Sequence, residues 1–346
     1  MVKISIIVPV YNVHAYIERC VNSIVCQDTE GFEVECIFVN DNTPDDSIEI
    51  VERCLKQYVG DIVFKIVNHS QNQGLSAARN TGVKESTGDF LFFVDSDDRL
   101  DPNALKCMMA AVNEQVETPS DIDVVIGNSY ICKDRKVAMR FKENTSFYLN
   151  NSEEKALKAL LDRTIFHTAW NKLVNRKFIL NYNILFENDI IDEDLLWSYL
   201  VFFYAKGVLV VPQVTYIYED NPGSIMNTSS SRITNRIKSR ILICNTILGF
   251  PPSRVCEEYY MYIFYIMIRA IDLYEQNVSD AVECANELDD LKKKFLERVW
   301  SEKQYLLYFF FLVSRKPYYA IFKIKFFRRY FDKLEACVTM LNRMFR

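Results

Sequence analysis

The sequence predicts an α/β fold, a mostly parallel sheet followed by a helical C-terminal extension. Three observations lead there. Short apolar runs at Ile4–Val10, Glu33–Val39, Ile62–Val67 and Phe90–Val94 alternate with segments of helical apolar spacing, which is the pattern of β-α units around a parallel core. The first run is β-branched and apolar on both faces, as a strand covered by helices on either side requires. From Ser231 onward the chain reads as helical and shows no repeat.

Taken in order, Ile4–Val10 is a central strand whose ladder Pro9 is expected to end, since proline has no N–H to donate. Val13–Val25 places Tyr16, Ile17, Val21, Ile24 and Val25 at helical spacing. After the second strand, Asn40 to Ser47 is a polar turn leading into a helix from Ser47 to Tyr58, with Asp45 or Asp46 as its cap. In Asn72–Asn80, Gly74 permits a tight turn and Ala77 and Ala78 permit close helix packing. Arg79 sits among those small residues, where its rigid fork suits either phosphate oxygens or a neighbouring carboxylate.

The fourth strand runs into Asp95-Ser96-Asp97-Asp98. Ligands in open α/β sheets collect beyond the carboxyl ends of the strands. Carboxylates crowded there repel one another, and a hard divalent cation, Mn²⁺ or Mg²⁺, shared with substrate phosphates relieves that repulsion. The plainer alternative is a solvated turn, with Asp101-Pro102 capping the next helix.

Further along, a helix is expected at Asn103–Val116, a strand at Ile122–Ile126, a β-ribbon or loop near Val137–Phe141 and a helix at Ser152–Leu161. Ala169-Trp170-Asn171-Lys172-Leu173 precedes a second acidic group, Asp192-Glu193-Asp194, which opens a helix over Leu195–Ala205. Acids at a helix start ordinarily complement its dipole. Here the apolar Leu195, Leu196 and Trp197 would dock that turn against a core and could leave one carboxylate facing a cleft. Val208–Val211 and Val214–Tyr218 read as two short strands, and Asn221 to Met226 as a lid hinge.

Composition bounds the rest. At 346 residues the chain holds two ordinary domains, and a net charge of −5 gives no general attraction to nucleic acid. Its ten cysteines show no C-x-x-C spacing, which argues against a zinc site and for reduced thiols in a cytoplasmic protein. No signal-peptide pattern opens the chain. Tyr305–Val313 is apolar over nine residues, well short of the about 20 needed to cross a bilayer. Beyond it, aromatics interleave with Arg315, Lys316, Lys323, Lys325, Arg328, Arg329 and Lys333. That pattern suits peripheral contact with an anionic inner leaflet, or a helix packed on the domain with a basic edge.

Ile6 to Asn12, the Asp41 turn, Gly74 to Asn80 and Asp95-Ser96-Asp97-Asp98 together resemble the family-2 glycosyltransferases of GT-A fold. Trp170–Leu173, Glu193-Asp194 and Ser224-Ile225 resemble the second half of the family's bacterial surface-polysaccharide branch. The resemblance implies a nucleotide-sugar donor, UDP-linked by preference, and a glycan or lipid-linked acceptor. Pro9 and Tyr11 would flank the base, Asp41 would accept from base or ribose, and Arg79 would contact the diphosphate. Asp95 would approach the ribose or donor sugar, with Ser96 in the same nucleotide-sugar-binding set, and Asp97 would ligate the metal. Asp194 matches the family's catalytic base, with Glu193 as the alternative. Inversion by a single displacement follows from one base and no covalent partner. The family's usual Asp-Asp-Gly-Ser is here Asn40-Asp41-Asn42-Thr43, so one carboxylate is lost, while Asn42 can still adopt the positive φ of the usual glycine.

These assignments divide the chain into a catalytic domain, 1–225, with a nucleotide-sugar half (1–101) and an acceptor half (102–225), and a helical extension, 226–346. Two other classes fit less well. A nucleotidyltransferase would need a glycine-rich loop after the first strand, which Pro9-Val10-Tyr11-Asn12 does not supply. A non-catalytic nucleotide-sugar binding module would keep the donor residues without turnover.

Overall fold

A computed structural model of the chain describes residues 1–115, 122–133, 136–139, 147–150, 158–161, 165–219, 221, 230–250 and 257–302. Ten strands form one sheet: β1 (Lys3–Val10), β2 (Glu33–Asn40), β3 (Val63–Asn68), β4 (Phe90–Phe93), β5 (Arg99–Leu100), β6 (Val124–Lys133), β7 (Lys136–Met139), β8 (Phe147–Asn150), β9 (Lys172–Asn175) and β10 (Gly207–Tyr218). The strand order is β3-β2-β1-β4-β9-β6-β10-β5, with β7 on β6 and β8 on β10. Strands β3, β2, β1 and β4 pair in parallel, as do β6 and β10, whereas β9 runs antiparallel between β4 and β6. The α/β, mostly parallel sheet with C-terminal helices is the predicted class.

Helices α1 (Ile17–Val25), α2 (Ser47–Lys56), α3 (Leu75–Glu85) and α4 (Ala104–Gln115) cover the first half. In α1 the buried residues are Ile17, Cys20, Val21 and Ile24, the spacing that turns one helical face to the sheet. Every residue of β1 after Lys3 is buried, as its two-sided apolar pattern demands. Asn42 does adopt φ 56°, and Asn12, at the end of β1, adopts φ 55°.

Three local expectations are corrected. Pro9 lies inside the β1–β2 register, opposite Val39, and that ladder runs on to Val10. Its missing N–H falls on the β4 side, where pairing has already stopped at Ile7–Phe93, so no bond is lost. The two short strands near Val208 and Val214 are a single β10 with register shifts between Val210 and Tyr216. Lys172–Asn175, expected only as a motif, is strand β9. Asn171 at its start has φ 61° and donates to the carbonyls of Gly127 and Asn128, while Thr215 Oγ1 donates to its Oδ1 at 2.6 Å. That cross-strand knot ties β9 between β6 and β10.

The later helices are α5 (Arg176–Asn181), α6 (Glu193–Tyr204), α7 (Ser230–Leu248), α8 (Glu257–Gln276) and α9 (Ala285–Ser301). They share a hydrophobic cluster with the sheet that contains Phe93, Trp197, Ile241, Phe264 and Leu291. Residues 158–161 are helical; the rest of the helix expected there is outside the described residues. The same holds for Pro222–Met226 of the expected lid hinge and for the apolar and basic aromatic stretch beyond Tyr305. Among the described residues no helix is long and apolar enough to cross a membrane. The described cysteines are all free thiols.

Candidate active site

The carboxyl ends of β1, β2 and β4 converge with the start of α6. Tyr11, just past β1, is 46% exposed, whereas Pro9 behind it is buried. Tyr11 is thus a large aromatic side chain left substantially exposed at the carboxyl end of β1.

Asp41 follows β2 and is only 2% exposed. Its Oδ1 accepts from Gln73 N at 2.8 Å and bonds His69 Nδ1 at 2.7 Å, and its Oδ2 accepts from Gly74 N at 2.8 Å. Both oxygens are thus engaged in holding the turn before α3, where Gly74 takes φ 87°. The sequence reading gave Asp41 to the base or ribose and missed His69 altogether. His69 also bonds Thr81 Oγ1 at 2.9 Å through Nε2, and nothing in a lone histidine after a strand announces that role.

Arg79 is likewise 2% exposed. One terminal nitrogen donates to Asp95 Oδ1 at 2.7 Å and the other to Glu193 Oε1 at 2.5 Å, and its guanidinium lies 5.1 Å from the Phe186 ring centroid. It bridges two carboxylates, which match the charge of a buried cation that would otherwise be costly. Burial opposes that charge, but Asp95 and Glu193 outweigh it and raise the Arg79 pKa.

The acidic turn after β4 separates into distinct roles. Asp98 is 1% exposed, accepting from Tyr216 Oη and Glu219 N, both at 2.8 Å. Tyr216 Oη also accepts from Asp95 N at 3.1 Å and its ring stacks on Trp170, so Asp98 shapes the turn. Ser96 is buried. Asp97 and Asp95 are partly exposed. Asp97 Oδ2 accepts from Asn221 at 2.8 Å, and Arg19 donates to the Asp97 carbonyl at 3.0 Å. Burial and then the Asp95 charge raise the Asp97 pKa. An excess of hard carboxylate oxygens at one turn fits Mn²⁺ or Mg²⁺, which bind through one or two carboxylates plus phosphates. Among the described residues no group of three or more His, Cys, Asp or Glu side chains is placed to hold a metal ion.

The second acidic group is sorted by its partners. Asp192 adopts φ 63° and pairs with Arg240 at 2.8 Å and Arg236 at 3.4 Å. Glu193 pairs with Arg79. Asp194 makes no hydrogen bond or ion pair among the described residues, and its pKa is raised well above the usual carboxylate range. Burial is the main cause, followed by Glu193; Arg79 partly offsets this, and Asp192 and Asp95 add to it. Trp197, one turn further along α6, packs edge-on against Phe93 at 5.6 Å and stacks on Phe186 at 4.9 Å, which docks the start of α6 beside the end of β4. The contacts Asp95–Arg79–Glu193 join the two acidic groups that the sequence separates by almost a hundred residues, and the charge of Asp95 acts on both Asp97 and Asp194.

Comparison with known proteins follows the same lines. The family model described as Glycosyl transferase family 2 matches residues 5–182. A Bacillus subtilis (strain 168) protein named "Uncharacterized glycosyltransferase EpsJ" is 33% identical over 225 residues, covering 64% of this chain and 62% of its own. The chain therefore spans less than two thirds of that relative's length. The crystal structure of S. aureus TarS 1-349 in complex with UDP-GlcNAc superposes with a TM-score of 0.62 at 21% identity, over 86% of this chain and 81% of that one. A mannosyltransferase from Pyrobaculum calidifontis, PcManGT, in complex with GDP-Man and Mn²⁺, superposes with a TM-score of 0.52 at 14% identity, over 93% and 83%. At these identities the structural likeness establishes the GT-A fold.

Proposed function

The chain belongs to glycosyl transferase family 2, and from that premise we propose that it is an inverting glycosyltransferase using a nucleotide-diphosphate sugar. The observation that carries the reading is the Asp95–Arg79–Glu193 bridge, which brings an acidic turn suited to a diphosphate together with the unpaired carboxylate of Asp194.

In this reading Tyr11 stacks on the base, with Pro9 behind it, and Asp95 and Ser96 lie against the ribose or donor sugar. A Mn²⁺ or Mg²⁺ held by Asp97 would supply charge neutralisation at the leaving diphosphate. Asp194 takes the proton of the acceptor hydroxyl on the opposite side of the sugar. A carboxylate whose pKa is raised is a better base near neutral pH than one in its ordinary range, provided that it stays ionised. Arg79 acts through Asp95 and Glu193, and Asp41 through the Gly74 turn, as positioning residues. A UDP-sugar is the favoured donor, supported by the UDP-GlcNAc bound in the TarS structure. The acceptor is a glycan or lipid-linked oligosaccharide of surface polysaccharide synthesis. The basic aromatic stretch beyond Tyr305 supports peripheral contact with the inner leaflet.

The test is nucleotide release from a panel of UDP- and GDP-sugars with Mn²⁺. Asp97→Asn is expected to lose metal-dependent nucleotide binding and turnover together. Asp194→Asn should keep donor binding and lose about 10²–10⁴-fold in kcat; near wild-type turnover would remove Asp194 as the base. Donor binding without release by the wild-type chain would leave only a binding module.

A further inference from the structure

The turn that opens α6 is held from outside the sheet. Arg236, Ser239 and Arg240 stand three and four residues apart on α7, the spacing that places side chains on one helical face. Ser239 Oγ accepts from Ile191 N at 2.8 Å. Arg240 donates through Nε at 3.2 Å and a terminal nitrogen at 2.8 Å to the same Asp192 oxygen, and Arg236 Nε lies 3.4 Å from the other. Arg240 is itself braced by donating to the Arg269 carbonyl of α8 at 3.0 Å. One residue beyond the base, Tyr262 of α8 donates to the Leu195 carbonyl at 2.8 Å.

Two features make this more than an ordinary ion pair. Asp192 is held at φ 63°, in the left-handed region that residues other than glycine, asparagine and aspartate seldom visit. Asp192 is also two residues from Asp194, whose ionisation its charge opposes.

We propose that Arg236, Ser239 and Arg240 are positioning residues for the base: they fix the Ile191–Asp192 turn so that Asp194 meets the cleft, and they screen Asp194 from the charge of Asp192. This role presupposes that Asp194 is the base. The C-terminal helices then belong to the catalytic apparatus. The groups acting on Asp194 are Asp192 and Glu193 on its own turn, Arg79 of α3, Asp95 after β4, and Tyr262 of α8, with Arg236 and Arg240 of α7 acting through Asp192.

The test is a carboxyl-carbon NMR titration of Asp194 in the full chain, its resonance assigned by its loss in Asp194→Asn. Arg240→Gln is expected to raise the Asp194 midpoint by about half to one pH unit. Asp192→Asn alone should lower it, and adding Asp192→Asn to Arg240→Gln should restore it. Nucleotide release from UDP-GlcNAc with Mn²⁺ should show the acid limb of kcat moving with the midpoint in Arg240→Gln, while KM for the donor holds. A merely structural brace would leave the midpoint unmoved, and that result overturns the role. If Arg240→Gln does not fold, Arg236→Gln takes its place and is read the same way: a raised midpoint supports the clamp and an unchanged one overturns it. The base reading fails by a different result, turnover retained in Asp194→Asn, which would also deprive the clamp of catalytic meaning whatever the titration shows.

Discussion

Asp192, Glu193 and Asp194 are three consecutive acids with three different fates. Asp192 faces two arginines, Glu193 faces a third, and Asp194 has no hydrogen-bond or ion-pair partner among the described residues. Their order in the sequence shows that acids open a helix but not which one remains without a partner, because the arginines come from positions 79, 236 and 240. The same limit applies to Asp41 and Arg79, whose protein partners come from distant positions, Gly74 for the one and Glu193 for the other. Tyr11, proposed to stack on the base, lies just past a central strand and is exposed without any distant partner. Tyr11→Ala is expected to raise KM for the nucleotide sugar about 10-fold and leave kcat nearly unchanged, as loss of one stacked base contact should. With Asp194 as the proposed base, its raised pKa is expected to place the acid limb of kcat above the ordinary aspartate range, and a limb within that range in a pH–rate profile would contradict the proposal.

Among the elements, the β-α units of the first hundred residues were readable because each carries its own period and turn signals. Strand β9 was not, since its four residues acquire meaning only between β4 and β6. Close packing makes the well-read elements testable. A Cβ at Gly82 of α3 would meet Ile7 Cγ2 of β1 at 2.2 Å, so Gly82→Ala should cost about 1–3 kcal/mol in urea unfolding. At the other end of the strands Glu35 accepts from Ser5, Lys3 and Thr87. Burial alone would raise its pKa, but the hydrogen bonds from Lys3, Ser5 and Thr87 prevail and lower it from 4.5 to about 2. A carboxylate lowered by folding stabilises the native state above its unfolded pKa, and that stability is lost as pH falls through the folded value. About 3 kcal/mol should therefore disappear between pH 4.5 and 2, and Glu35→Gln should flatten that part of the stability profile.

Across the whole molecule, one hydrophobic cluster contains Leu91 and Phe93 of the sheet together with Ile263, Phe264, Leu291 and Phe295 of the last two described helices. A fragment ending at residue 225 would expose the inner face of that cluster. It is expected to be poorly soluble and to lack a cooperative thermal transition by circular dichroism, and a cooperatively folding fragment would support 1–225 as an autonomous domain. The α/β class was legible at this scale from alternation alone, whereas the joining of sheet and helices depends on contacts across most of the chain. The antiparallel β9 carries one further consequence. It is hydrogen-bonded on one edge to β4, the strand that ends in the acidic turn, and on the other to β6. The strands on its two sides are stitched into one continuous plane. The distance between the acidic turn after β4 and the elements beyond β9 is therefore set when the sheet forms.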